Sequence, residues 1–199
     1  MKIFKSEKDM PKFHKKGFKK KKVPESAWKL ILNLYQKVKE KKEEEEHFDF
    51  KDVYIPHESG KASSNILNIG EFETHKQILF QMLQEDHEKF CSNAKIKPCM
   101  MYGIRSYLNG SKLEMHVDKV ETHHISSIIM VDKDLGGEKD WPLNIIDHKG
   151  KPHEVYLEPG EMVLYESATC EHGRKEIFKG NYFRNFFIHY SLADYKYEP

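Results

Sequence analysis

The chain has 199 residues, 38% of them hydrophobic and 33% charged, with a formal net charge of +1 at pH 7. That length fits one domain with a sizeable core, and the near-neutral balance excludes a global field that would recruit nucleic acid. No apolar run reaches the roughly eighteen residues a membrane-spanning helix needs, so no membrane partner is expected.

Residues 1–22 read as a disordered Lys-rich tail, with seven Lys between positions 12 and 22. A solvated run is the simplest reading, and Lys19 to Lys22 also suit nuclear targeting or phosphate contact. The start, Met1-Lys2-Ile3-Phe4-Lys5, lacks the apolar stretch of a secretory signal. Cys91, Cys99 and Cys170 show no CxxC spacing and read as reduced thiols. A cytoplasmic or nuclear protein is expected.

Pro24-Glu25-Ser26 opens a predicted helix. Trp28, Ile31, Leu32, Tyr35 and Val38 recur at helical spacing, and the pattern frays into Lys and Glu by about residue 46. Residues 47–70 are irregular apart from the apolar run Val53-Tyr54-Ile55. A second amphipathic helix covers 71–90, with Phe72, Ile78, Leu79, Met82, Leu83 and Phe90 as its apolar set.

From about residue 99 the pattern becomes that of strands. Met100 to Leu108 is one. His123 to Val131 is another, with Ile125, Ser127, Ile129 and Val131 on one face. Leu143 to Ile146 and Glu154 to Leu157 flank the hairpin turn Asp147-His148-Lys149-Gly150. Met162 to Glu166 follows the Pro159-Gly160 turn, and Tyr182 to Leu192 closes the series. Helices followed by many short strands imply an α+β fold whose β part is a sandwich or jelly roll.

Between two of these β-like runs lies His116-Val117-Asp118, and much later His172-Gly173-Arg174. Two imidazoles and a carboxylate can take one face of an octahedral iron(II), leaving positions open for a co-substrate and dioxygen. His116 and Asp118 share one side of an extended segment, because side chains alternate with period two. Three protein ligands leave a site open, which suits catalysis. A second His-x-Asp, His47-Phe48-Asp49, follows the charge run Glu43 to Glu46 with no clear strand before it, and is set aside.

The stretch Met101 to Tyr190 resembles the iron(II)/2-oxoglutarate-dependent dioxygenases, and within them the prolyl 4-hydroxylase-like branch. The matching residues are Tyr102-Gly103-Ile104-Arg105-Ser106-Tyr107 and His116-Val117-Asp118-Lys119-Val120-Glu121-Thr122, then Trp141-Pro142-Leu143. They continue with Leu157 to Ser167, His172-Gly173-Arg174 and Lys179 to His189. The resemblance implies a double-stranded β-helix with N-terminal flanking helices. Residues 23–199 then form one domain, helical over about 23–95, with the β-helix over about 96–194.

The resemblance also implies Fe(II) on His116, Asp118 and His172, with 2-oxoglutarate and dioxygen as co-substrates and ascorbate as a reductant. The implied reaction decarboxylates 2-oxoglutarate to succinate and hydroxylates an unactivated C–H bond, on a peptidyl proline, another residue or a small molecule. The family places a Lys or Arg about ten residues past the distal His to pair with the far carboxylate of 2-oxoglutarate. Here that position is Tyr182, which offers one hydrogen bond and no charge. Arg184, two residues on, is the first choice for the anchor, with Arg105 and Arg174 next. Tyr107 matches a tyrosine that contacts 2-oxoglutarate. Arg174 also fits a role in substrate binding or in orienting Asp118. His123, His124 and His189 read as packed or solvated strand residues, and Asn185 and His189 as lying on the opposite face from Arg184. Two other readings stay open: a nucleic-acid demethylase of the same superfamily, with the Lys-rich tail on phosphates, and a non-catalytic binding module on this fold.

Overall fold

The structure, a computed structural model, describes residues 2–41, 44–45 and 64–198. The expectations for His47-Phe48-Asp49 and for Val53 to Ile55 lie outside the described residues.

Fourteen strands and two α-helices are described. In chain order they are β1 (Lys2–Phe4), β2 (Phe18–Lys22), α1 (Glu25–Val38), β3 (Glu44–Glu45), β4 (Ser64–Asn68), α2 (Glu73–Phe90), β5 (Ile96–Met100) and β6 (Gly103–Leu108). There follow β7 (Leu113–His116), β8 (Ile125–Asp134), β9 (Leu143–Ile146), β10 (Pro152–Val155), β11 (Glu161–Tyr165), β12 (His172–Arg174), β13 (Tyr182–Leu192) and β14 (Tyr195–Tyr197). No described helix is long and apolar enough to cross a membrane.

The protein is mostly β, a jelly-roll-like sandwich with two helices. A large sheet runs β2-β11-β8-β13-β6-β4-β3, with β5 also on β13, and a four-stranded sheet runs β10-β9-β12-β7. Two cores follow from strand alternation. Between the sheets, Tyr107, Ile128, Met130, Val163, Tyr165 and Phe183 of the large sheet pack on residues such as Leu143, Ile145 and Val155. On the other face of the large sheet, Ile104, Ile125, Ile129, Met162, Leu164 and Phe186 pack on α1 and α2.

α1 ends at Val38, earlier than the sequence pattern suggests, because Val38 is its last buried residue and a Lys- and Glu-rich run follows. Helix α2 buries Leu79, Phe80, Leu83, His87 and Phe90, whereas Ile78 and Met82, expected inside, are 38% and 39% exposed. The run Met100 to Leu108 is two strands, broken at Met101-Tyr102 before Gly103, whose φ of +147° suits glycine.

The first 22 residues correct the expectation of a disordered tail. β1 pairs in parallel with β14, and β2 pairs antiparallel with β11, from Glu161 opposite Lys22 to Tyr165 opposite Phe18. The physical reason lies outside the local composition. The buried Glu166 carboxylate accepts the backbone N–H groups of Phe13 and His14, at 3.2 and 2.8 Å. Lys20 and Lys21 are in ion pairs with Glu161 and Asp86. The lysines are thus those of an edge strand, where charge discourages pairing with another chain.

Candidate metal centre

His116 ends β7 and His172 begins β12. The two lie opposite one another in the antiparallel ladder, with ring centroids 4.5 Å apart. The close approach depends on Gly173: a Cβ there would meet the Glu114 and Leu113 carbonyl oxygens at 2.7 and 2.8 Å. Asp118 follows two residues after His116, in the turn that leaves β7. Its backbone N–H donates to the Ser167 carbonyl at 2.9 Å, which ties it to the β11–β12 connection.

The proton positions follow from the partners. His116 Nδ1 lies 2.8 Å from the Glu114 carbonyl and His172 Nδ1 lies 2.9 Å from the Cys170 carbonyl. A carbonyl only accepts, so each Nδ1 carries the hydrogen and each Nε2 presents a lone pair. These Nε2 atoms stand 3.7 and 3.8 Å from Asp118 Oδ1, too far for a hydrogen bond. One ligand atom from each of the three residues lies within 4.8 Å of the others. Asp118 Oδ2 is buried with no hydrogen-bond partner, an unmet need that a cation beside the carboxylate answers.

Burial drives the electrostatics. It pushes His172 down to about 4. It lowers His116 too, with repulsion from His172 adding to the effect. Both imidazoles are therefore neutral at pH 7, the state a metal ligand requires. Burial raises Asp118, while His116 and His123 pull it back toward the charged form.

Of the five residues expected to hold the co-substrate, four lie on the large sheet and divide between its two faces, and Arg174 lies on β12 of the smaller sheet. On β13, Phe183 faces the space between the sheets, whereas Tyr182 and Arg184 face α1. Arg184 Nη1 donates to the Tyr35 hydroxyl at 2.6 Å and Nε to Ser106 Oγ at 3.3 Å. Tyr182 and Tyr35 both donate to Asp132 Oδ2. A bulge beside them, where the pairing skips Val131 between Arg184–Asp132 and Asn185–Met130, accompanies this cluster. Arg184, the first choice for the anchor, is thus turned toward α1 and away from the space between the sheets, while Asn185 and His189 lie on the opposite face of β13, as expected, and that face is the one toward Arg174 and Asp118.

Tyr107, Arg105 and Arg174 do face the space between the sheets. Arg105 is half-buried, donates to the Tyr107 hydroxyl at 3.3 Å, and lies over the Phe187 ring. Arg174 is 2% exposed. It lies on the same face of β12 as His172, and its guanidinium sits 4.6 Å from the centroids of both Trp141 and Phe183. It donates to the Trp141 carbonyl at 2.5 Å and to Asn185 Oδ1 at 2.8 Å. Burial lowers Arg174 to about 10, so it stays charged at pH 7, and no described carboxylate forms an ion pair with it.

The sequence reading missed a set of buried polar groups around Asp118. Tyr165 packs its ring edge-on to His172 at 4.6 Å. Ser126, Ser167, His123 and His189 lie behind the carboxylate, and Tyr102 donates to or accepts from His123 Nε2 at 3.1 Å. The available signal was polar residues at inward positions of otherwise apolar strands, Ser126 in β8 and His189 in β13. It was hidden because Ser127, next to Ser126, is polar as well.

No protein-family model matches the chain, and no curated protein matches it in sequence. Solved structures do match in fold. A prolyl-4-hydroxylase from Pseudomonas putida is 10% identical with a TM-score of 0.58, over 89% of this chain and 94% of that one. A Burkholderia pseudomallei oxidoreductase of the 2OG-Fe(II) oxygenase family is 15% identical with a TM-score of 0.58, over 89% and 85%. A Trichoplax adhaerens prolyl hydroxylase, solved with a hypoxia inducible factor oxygen degradation domain peptide, is 10% identical with a TM-score of 0.55, over 89% and 84%. At these identities the likeness is one of fold.

Proposed function

We propose that this chain is an Fe(II)- and 2-oxoglutarate-dependent dioxygenase on a double-stranded β-helix. The strand orders β11-β8-β13-β6 and β10-β9-β12-β7 support the β-helix, since from β6 to β13 the chain alternates between the two sheets except at the β9–β10 hairpin, both strands of which lie in the smaller one. One observation carries the activity: His116, Asp118 and His172 bring their ligand atoms within 4.8 Å of one another between the sheets, with both Nδ1 atoms committed to carbonyls. The bound iron supplies oxygen activation coupled to decarboxylation of 2-oxoglutarate to succinate.

The protein's own part is to bind and orient. Three ligands on one side leave the other side of the metal for co-substrate and dioxygen. Arg174 is the residue we assign to the far carboxylate of 2-oxoglutarate. A buried guanidinium that Asp140 stabilises only at a distance, with no carboxylate among the described residues in an ion pair with it, is costly, and a dicarboxylate lowers that cost. Of its five N–H groups, two are used on Trp141 and Asn185. Its place two residues along from His172 sets it about 6–7 Å away in strand rise, the reach of a five-carbon diacid. Tyr182, at the position where the resemblance places a cation, faces α1; its neighbour Phe183 faces inward, and Arg174 covers that ring from β12. Tyr107 lines the same space.

The substrate we infer is a peptidyl proline or another amino-acid residue. Support comes from the fold shared with two prolyl hydroxylases, which is an analogy, and from Val117 and Tyr102, 37% and 47% exposed beside the site.

The test is anaerobic. Iron(II) and then 2-oxoglutarate are added to the protein, and the visible charge-transfer band of the chelate is followed. The band is expected in the wild type and absent in His116→Ala. Iron binding with no band would remove 2-oxoglutarate from the reading; no iron binding would remove the reading. Peptides are then screened by succinate release and a mass gain of one oxygen.

A further inference from the structure

Residues 12–22 carry seven lysines and no carboxylate, more positive charge than the fold uses. Lys20 pairs with Glu161 and Lys21 with Asp86, which already sets charge on an edge strand. Lys12, Lys15, Lys16, Lys19 and Lys22 are exposed, and no described carboxylate forms an ion pair with them. These lysines are held in place. β2 is laddered to β11, Glu166 binds the N–H groups of Phe13 and His14, and the Gly17 carbonyl accepts the Glu166 N–H at 2.9 Å. Gly17 has a φ of +78°, and a Cβ there would meet Cys170 Sγ and His148 Nε2, so the segment turns tightly against the protein. An array ordered by folding binds a polyanion at a smaller entropic cost than a loose tail does.

Aromatic rings are interleaved with the lysines. On the side of β2 toward the smaller sheet, Lys16 Nζ lies 5.9 Å from the Phe18 ring centroid, and Phe18 meets His153 edge-on at 5.1 Å. Lys20 Nζ donates to the Tyr156 carbonyl at 2.7 Å. Tyr156 itself is 45% exposed, and its hydroxyl donates to Glu154 Oε2 at 2.9 Å, so the ring is fixed at the surface beside the lysines. Exposed Lys149 and Lys151 flank the turn of the β9–β10 hairpin, which packs on Gly17 through His148. The carboxylates nearby are largely engaged: Glu161 with Lys20, Asp147 with His153 and the N–H groups of its own turn, Glu154 with Tyr156. Glu171 is exposed.

We propose that β2 and the segment leading into it are a docking surface for single-stranded nucleic acid, with the lysines on phosphates and Tyr156 against a base. A protein partner is held by an apolar or aromatic centre with charge at the rim, whereas here the lysines form the centre. A membrane surface needs apolar side chains to insert among the lipids. Duplex grooves admit a protruding helix or ribbon, and β2 is laddered into a sheet. A cationic track beside an aromatic platform suits a single strand. The net charge of +1 supplies no long-range field, so the attraction is local. The surface lies outside the space between the sheets, and the inference does not depend on the metal reading.

The experiment uses the whole chain and a labelled oligouridylate of about 20 nucleotides, followed by fluorescence anisotropy over about 50–200 mM salt. Each lysine on a phosphate contributes about −0.7 to the slope of log affinity against log salt, so five give about −3.5. Lys15→Gln/Lys16→Gln/Lys19→Gln is expected to make the slope shallower by about 2 and to weaken binding about tenfold or more at the low-salt end. Tyr156→Leu is expected to weaken binding about fivefold or more with the slope unchanged. Lys29→Gln/Lys95→Gln/Lys196→Gln makes the same change in net charge on other surfaces and is expected to bind as the wild type does. Thermal melting accompanies each titration. Should β2 not tolerate the change at Lys19, Lys15→Gln/Lys16→Gln lies outside any strand and is expected to make the slope shallower by about 1.4. No binding at the low-salt end, or equal weakening by the two triple variants, would overturn the proposal. So would poly(L-glutamate) that displaces the label as well as unlabelled oligouridylate of equal charge, which would make this a surface for acidic protein.

Discussion

Arg184 and Tyr35 are joined by a 2.6 Å hydrogen bond from the Arg184 Nη1 to the Tyr35 hydroxyl, and this bond turns the guanidinium toward α1. The arginine nearest the position the resemblance expects therefore braces a helix on the sheet, and the arginines that face the space between the sheets are Arg105 of β6 and Arg174 of β12.

Replacing Arg184 tests that division. Arg184→Met is expected to lose about 1–3 kcal/mol of stability, the scale of a lost hydrogen bond to a charged group. Urea unfolding measures it. The 2-oxoglutarate concentration that half-develops the charge-transfer band is expected to stay at the wild-type value. A large rise with unchanged stability would return Arg184 to the site.

Arg174→Lys keeps the charge and loses the planar fork. A charge-assisted hydrogen bond is worth about 1.5–3 kcal/mol, so half-development of the band is expected to need about 10–100-fold more 2-oxoglutarate. Cobalt(II) affinity is expected to be unchanged. A half-point that does not move would point to Arg105 as the anchor.

Gly173→Ala addresses the approach of β12 to β7. A methyl group at 2.7 Å from the Glu114 carbonyl oxygen meets backbone, which cannot swing aside as a side chain can. The strands are expected to part, with a stability loss of about 1–3 kcal/mol and weaker cobalt(II) binding, because His172 and His116 ride on the two strands. Unchanged binding with unchanged stability would show that the ladder flexes there.

His87 supplies a pH dependence away from the metal site. It is fully buried on α2, its Nδ1 bonded to the Leu83 carbonyl at 2.7 Å and its Nε2 without a partner. Burial lowers it to about 4, with the Leu83 carbonyl and Asp86 opposing. The folded value lies below the unfolded one, near 6.5, so only the unfolded chain takes up this proton in between. The contribution is complete above about pH 6.5 and is lost as pH falls to about 4, a change of about 3 kcal/mol. Urea unfolding at pH 7 and pH 5 is expected to show a smaller drop in His87→Leu than in the wild type. Parallel drops would mean that His87 opens to water before the chain unfolds.

Much of this protein is legible in its residues alone. The helix starts at Glu25 and Glu73, the hairpin at Asp147 to Gly150 and the long strand Tyr182–Leu192 follow local rules of periodicity and turns. So does the juxtaposition of His116 and Asp118, because a two-residue spacing on an extended chain is a local property. His172 entered as the second imidazole of a candidate triad, and the resemblance named the co-substrate and the reaction.

Tertiary structure decided the rest. Residues 12–22 read as a tail because seven lysines hold no core, yet β11 and the buried Glu166 carboxylate, both distant in sequence, make part of them a strand. The face of Arg184 depends on where β13 enters the sheet, and a shift of one residue exchanges every side chain between the two cores. Whether Arg174 lies over Phe183, and whether His189 stands beside Asp118, are distances between strands far apart in the chain. Alternation says that a side chain points up or down; only the packed sheets say what it meets there.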